Sequence, residues 1–130
     1  HEFACRLVPH QGDWRKANIV QLGQEFNHPI VINHLKNQAD QASFLQVSAP
    51  NIILSALKRS QDQSAWILRF YEAHGQVTET KIDISRDLLS IKEIWECDLM
   101  EQATIAIANE QSNSLQITFQ PYEIKTLHVA

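Results

Sequence analysis

The amino-acid sequence predicts a mostly β protein, an antiparallel β-sandwich of about seven to eight strands with one N-terminal amphipathic helix. Three observations carry this. Eight short runs rich in β-branched and aromatic residues recur at a spacing of about ten residues, with turn-forming residues between them. Leu115, Ile117 and Phe119 alternate with Gln116, Thr118 and Gln120, as a strand with one wet face should. A single segment, following Asp13, repeats its apolar residues at the helical period instead.

Taken in order, His1 to Val8 alternates loosely through Phe3, Cys5 and Leu7 and reads as a first strand ended by Pro9. Gly12-Asp13 opens a helix, because Asp13 is a good N-cap and Ile19, Leu22 and Phe26 then fall on one face beside Gly23. Asn27-His28-Pro29 stops it. Ile30 to Ile32 is a brief extended piece, and a polar connector from Asn33 to Gln41 follows, with the domain seam expected near Asn37. The chain thus divides into a lead-in, residues 1–41, and a sandwich, residues 42–130. The sandwich strands are Phe44 to Val47, Ile52 to Leu57, Trp66 to Tyr71, Val77 to Ile84, Ile91 to Leu99, Ala103 to Ala108, Leu115 to Phe119 and Tyr122 to Val129. Asp87-Leu88-Leu89 reads alternatively as one helical turn. With only three glycines, the tight turns must lean on Asn, Asp, Gln and Ser.

The run from Trp66 to Gly75 is a strand with a charge planted in it. Alternation puts Trp66, Leu68 and Phe70 on one face and Ile67, Arg69 and Tyr71 on the other, so both faces are apolar and both are covered. Arg69 is therefore at least partly buried and needs a partner, since an unpaired buried charge is costly. Glu72 points away from it, so the partner comes from a neighbouring strand or another domain. That makes Arg69 either a structural tie or a reader of something outside.

Length and composition narrow the function. A chain of 130 residues suits one domain that buries about two-thirds of its unfolded surface. No apolar run approaches the ~20 residues of a membrane span. A net charge of -4, with 11 Lys and Arg scattered along the chain, offers no basic stripe for nucleic acid. Cys5 and Cys97 lie in no CxxC or Cys/His cluster and are expected as reduced, buried thiols. No Asn-x-Ser/Thr acceptor occurs, which leans against a glycosylated secretory protein, and a cytoplasmic location is the expectation. A chain opening at His1 without methionine reads as a fragment, so its start says nothing of targeting.

Chemistry-bearing patterns are sparse. The six histidines form no HExxH or His-x-His pair, and no GxSxG elbow, GxGxxG or Walker loop is present. Glu72, Glu79, Asp83, Glu93, Glu96 and Asp98 lie on predicted strands, where alternating carboxylates are a wet face before they are a catalytic pair. Trp66 and Trp95 sit among apolar neighbours and are expected in the core, whereas Trp14, at the start of the helix, is open to an interface role.

Four stretches together resemble the C-terminal end of glycoside hydrolase family 38, the α-mannosidases: Phe3 to Trp14 with the helix to Pro29, Ser55 to Arg59, Leu68 to Gly75, and Phe119 to Leu127. The resemblance implies a terminal β-sandwich plus a lead-in that completes the preceding β-domain. It also implies that zinc, expected in the parent enzyme, and the aspartate nucleophile belong to an upstream catalytic domain, because no His here is followed two residues later by Asp, as in that family's zinc motif. No residue of this chain is therefore assigned to catalysis, cofactor or metal. Carried over instead as a structural or docking signature are His10, Asp13 and Trp14, and Arg69, Tyr71 and Glu72. The implied partners are upstream domains of the same polypeptide, with mannosides met through the parent enzyme, and neither nucleic acid nor membrane. The fragment should be inert alone. Glu101 to Asn113 departs from the family pattern, with Ala103 to Ala108 more apolar than expected. Two rivals stand beside this reading: a sugar-binding module using Trp14 and polar residues near His74, and an assembly domain whose helix and first strand make an oligomer contact.

Overall fold

Strands form where the β-branched and aromatic runs predict them. The computed structural model describes residues 3–28, 30–32, 43–85, 91–109 and 114–130. Within these lie one helix, α1 (Ile19–Asn27), and eight strands: β1 (Leu45–Val47), β2 (Ile52–Arg59), β3 (Trp66–Glu72), β4 (Thr78–Ile84), β5 (Glu93–Cys97), β6 (Ala103–Asn109), β7 (Ser114–Phe119) and β8 (Ile124–Val129). All strand pairs are antiparallel and build two sheets, ordered β1-β4-β7 and β2-β3-β8-β5-β6.

The two sheets share one apolar core. Leu68 and Phe70 of β3 meet Ile82 and Ile84 of β4, Leu115, Ile117 and Phe119 of β7, Ile94 of β5, and Leu127 and Val129 of β8. Phe70, Phe119, Leu68, Ile82 and Leu127 have no exposed surface, and each such side chain contributes about 1.5–3 kcal/mol by leaving water. The β7 alternation is realised in full, with Leu115, Ile117 and Phe119 buried and Gln116, Thr118 and Gln120 exposed. Trp66 packs partly against this core, but Trp95 does not. Parity explains the difference: Ile94 takes the inward position on β5, and Trp95 turns to the outer face beside His128 of β8.

The chain separates into two compact units, His1–Gln41 and Ala42–Ala130, and the first departs from several expectations. Residues 3–8 form no strand, and residues 30–32 are exposed and carry no regular structure. Asp13 accepts the N–H groups of Arg15 (3.1 Å) and Lys16 (3.0 Å), but it caps a turn rather than the helix. Asn18 is left-handed, with φ 51°, so helical geometry restarts at Ile19. Asn27 ends α1 as expected, and the His28 N–H bonds the Gln24 carbonyl at 2.9 Å. Cys5 is exposed, not buried, because residues 3–8 pair with no strand among the described residues. Cys97 is buried and donates to the Thr126 carbonyl at 3.6 Å. The polar connector, the seam near Asn37 and the Asp87-Leu88-Leu89 turn lie outside the described residues.

Candidate functional site

Glu72 ends β3 with 1% of its surface exposed and forms no ion pair among the described residues. Its charge is met by N–H dipoles. Oε1 accepts from Asn51 Nδ2 (2.9 Å) and the His74 N–H (2.6 Å). Oε2 accepts from the N–H groups of Gly75 (2.6 Å), Gln76 (3.2 Å) and Tyr122 (3.0 Å). One carboxylate therefore ties together the approach to β2, the β3–β4 turn and the β7–β8 turn. Main-chain bonds from Glu72 to Glu123 (3.0 Å) and from Ala73 to Asn51 (2.9 Å) complete the knot. Burial acts to raise the carboxyl pKa, but the bonds from Tyr122, Asn51, His74 and Gly75 prevail and hold it at about 2.

The sequence places these residues where the knot needs them. Gly75 has φ 74°, which favours glycine, and a Cβ there would sit 2.5 Å from the exposed Tyr122 ring, which would have to swing aside. Tyr122 is itself left-handed, at φ 60°, a conformation costing an L-residue about 1–2 kcal/mol and kept here by its bond to Glu72. Asn51 also donates to Thr78 Oγ1 at 2.6 Å. Its part escaped sequence reasoning, where the one local sign is an asparagine between Pro50 and the apolar run that opens β2.

Arg69 sits half-buried on the outer face of β3, opposite Thr126 of β8, and its Nε donates to Thr126 Oγ1 at 3.2 Å. The neighbouring-strand partner is thus present within the sandwich. Tyr71 shares that face and is half-buried. In the other unit His10 and Asp13 are exposed, and Trp14 keeps 36% of its surface exposed beneath the Arg15 guanidinium, 4.4 Å from the ring centroid. The six signature residues therefore fall into two groups, one per unit.

Glu72 is held far below the range of a general acid at neutral pH, and all its bonds run to the protein's own N–H groups. Glu79, Glu93 and Asp98 are exposed, as a wet face predicts. Among the described residues no three His, Cys, Asp or Glu side chains converge as metal ligands, and no helix is long and apolar enough to cross a membrane.

Comparison with known proteins agrees with the architecture. A family model described as the glycosyl hydrolases family 38 C-terminal beta sandwich domain matches residues 51–127, from the foot of β2 into β8. Alpha-mannosidase 2C1 of Mus musculus is 29% identical over 133 residues, covering 98% of this chain and 12% of the relative. The Homo sapiens protein of the same name has the same identity and coverage. Alpha-mannosidase G of Dictyostelium discoideum is 24% identical, covering 97% of this chain and 12% of its own length. The chain thus spans about an eighth of these relatives. By the match over its sandwich, the chain belongs to the glycosyl hydrolases family 38 C-terminal beta sandwich domain family.

Proposed function

We propose that this chain is the accessory C-terminal sandwich of a cytoplasmic, zinc-dependent, retaining α-mannosidase, where it supports and docks the catalytic domain and is inert alone. The observation that carries the reading is the pairing of coverages: relatives named α-mannosidases match 98% of this chain along only 12% of their length. In this reading the zinc ion and the nucleophile belong to upstream residues, and mannosides meet the parent enzyme there. Both cysteines are free, the state a reducing compartment maintains.

Docking draws support from the lead-in. Phe3, Leu7, Ile30 and Val31 are each more than four-fifths exposed, and α1 buries no residue. Apolar side chains spread this way over a short segment mark a surface meant for a partner, and the upstream domains of the same polypeptide supply one. His10, Asp13 and Trp14 would form the contact there, while Arg69, Tyr71 and Glu72 keep the sandwich in the shape that is docked. In the parent enzyme Trp14→Ala should lower the melting temperature, while in the isolated chain it should leave it within about 1 °C. Equal effects in both would count against docking. Hydrolysis of an aryl α-mannoside by the pure chain would overturn the inert-alone reading.

A further inference from the structure

On the outer face of the five-stranded sheet three segments distant in sequence line an open recess of about 410 Å3. The β2–β3 loop supplies Ser60, Gln61 and Asp62, the β5–β6 turn supplies Met100 and Glu101, and β8 supplies His128. The turn is knitted by Asp98, whose Oδ1 accepts the N–H groups of Met100 (2.9 Å) and Gln102 (3.0 Å). It reaches back past β8 and β3 so that Glu101 pairs with Lys58 of β2 and accepts the Gln61 N–H at 2.9 Å. The volume falls within the ~300–1,000 Å3 of small-molecule sites.

His128 is the unexplained element. Its Nδ1 is buried and has no hydrogen-bond partner among the described residues. A buried polar atom left unpaired is rare enough to need a reason. Because Nδ1 lies on the covered side, the edge of the imidazole that lines the recess is the other one. That edge carries Cδ2 and Nε2, so Nε2 is the ring nitrogen that a molecule in the recess would meet.

The lining decides what class of molecule fits. Two carboxylates exclude an anion. Neither is free to meet a full cation, since Glu101 is paired with Lys58, and Asp62 already accepts from the Ser60 hydroxyl (2.6 Å) and from the Ser64 N–H (3.0 Å) and hydroxyl (2.8 Å). Both Glu101 oxygens and Asp62 Oδ2, each with one donor, nevertheless have room for one more, whereas Asp62 Oδ1 already holds three. Among the described residues Met100 is the one apolar side chain in the lining, too little surface for a lipid or an aromatic ligand.

We propose that this recess binds a neutral polyhydroxylated ring of the size of a monosaccharide, whose hydroxyls meet His128, Gln61 and the spare acceptor positions of Asp62 and Glu101. The site goes beyond the accessory-domain reading and its failure would leave that reading intact, because docking requires no ligand on the sandwich. The test is amide and imidazole NMR of the 15N-labelled chain titrated with methyl α-mannoside, methyl α-glucoside and methyl α-galactoside, with ethylammonium as the cation control. Saturable shifts confined to Gln61, Glu101 and His128 are expected from at least one glycoside, and about fivefold weaker binding in His128→Phe. Gln61→Ala, in an exposed loop, should weaken binding as well and decides the matter if His128→Phe does not fold. Unmoved resonances, shifts centred on Trp14 or His74, equal shifts with ethylammonium, or unchanged glycoside binding in the folded variants would overturn the proposal.

Discussion

Glu72 shows how a charge can be buried without a counter-ion. Five N–H donors from three segments offset its desolvation, and the outcome is a carboxyl held at about 2 against an ordinary 4.5. At ~1.4 kcal/mol per tenfold change in proton affinity, the ionised form contributes about 3 kcal/mol to folding. A depressed carboxylate pKa fixes the sign: the contribution is complete above about pH 4.5 and is lost as pH falls toward 2. Glu72→Gln keeps the shape but turns an amide NH2 against backbone donors, so urea unfolding at pH 7 should show a loss of about 3 kcal/mol or more. The variant's stability should also stay flatter between pH 5 and 2 than that of the parent chain, and an equally steep acid limb would assign the pH dependence elsewhere. Arg69 makes a complementary case, since a single hydroxyl from Thr126 and partial exposure suffice for a group whose charge still reaches water.

Among the elements, the β3–β4 and β7–β8 turns act as one unit. Gly75 permits the close approach of the Tyr122 ring, and both residues hold left-handed backbone under the same carboxylate. Gly75→Ala should cost about 1–2 kcal/mol, chiefly from φ, with a smaller part from displacing the exposed Tyr122 ring. Tyr122 is 64% exposed, so Tyr122→Ala alone should be mild. In the double variant the collision is gone, and denaturant melts should return a loss smaller than the sum of the two single losses. Strict additivity would show that the ring contact carries no energy. At the sheet edge, β6 pairs β5 with register shifts on either side of Trp95 and Glu96, so Ile107 and Thr104 are extra residues on β6. Two bulges explain how the apolar run Ala103 to Ala108, unexpected in the sequence, serves as an edge strand without a flat face open to further pairing.

At the scale of the molecule, every residue of the core cluster lies between Phe44 and Val129, and none belongs to the lead-in. Deleting residues 1–41 should therefore leave a sandwich whose melting temperature is within about 3 °C of the whole chain's, as calorimetry would show. A fall of about 10 °C or more would mean that the lead-in contributes to the core after all. Under the docking proposal, upstream domains cover the exposed side chains of Phe3, Leu7 and Ile30, and the relatives, about eight times longer than this chain, have the length for such domains.

Eight strands, the faces of β3 and β7 and the partly buried state of Arg69 were determined by the sequence alone, because strand period and β-branched content are local properties that the core reads directly. The family could be read for the same reason, since its signatures are contiguous stretches such as Leu68 to Gly75. Tertiary structure decided the rest. The start of α1 moved to Ile19 because Asn18 chose a left-handed backbone, and the first predicted strand did not form because residues 3–8 have no strand to pair with among the described residues. Trp95 left the core through the parity of Ile94, a matter of register rather than composition. Glu72 looked like a strand-end carboxylate beside a turn; that Asn51 and Tyr122 also converge on it follows from sheet order, which joins residues 21 and 50 positions away. The recess around His128 is built from three loops and strands that only the β2-β3-β8-β5 order brings together, and no sequence window contains it.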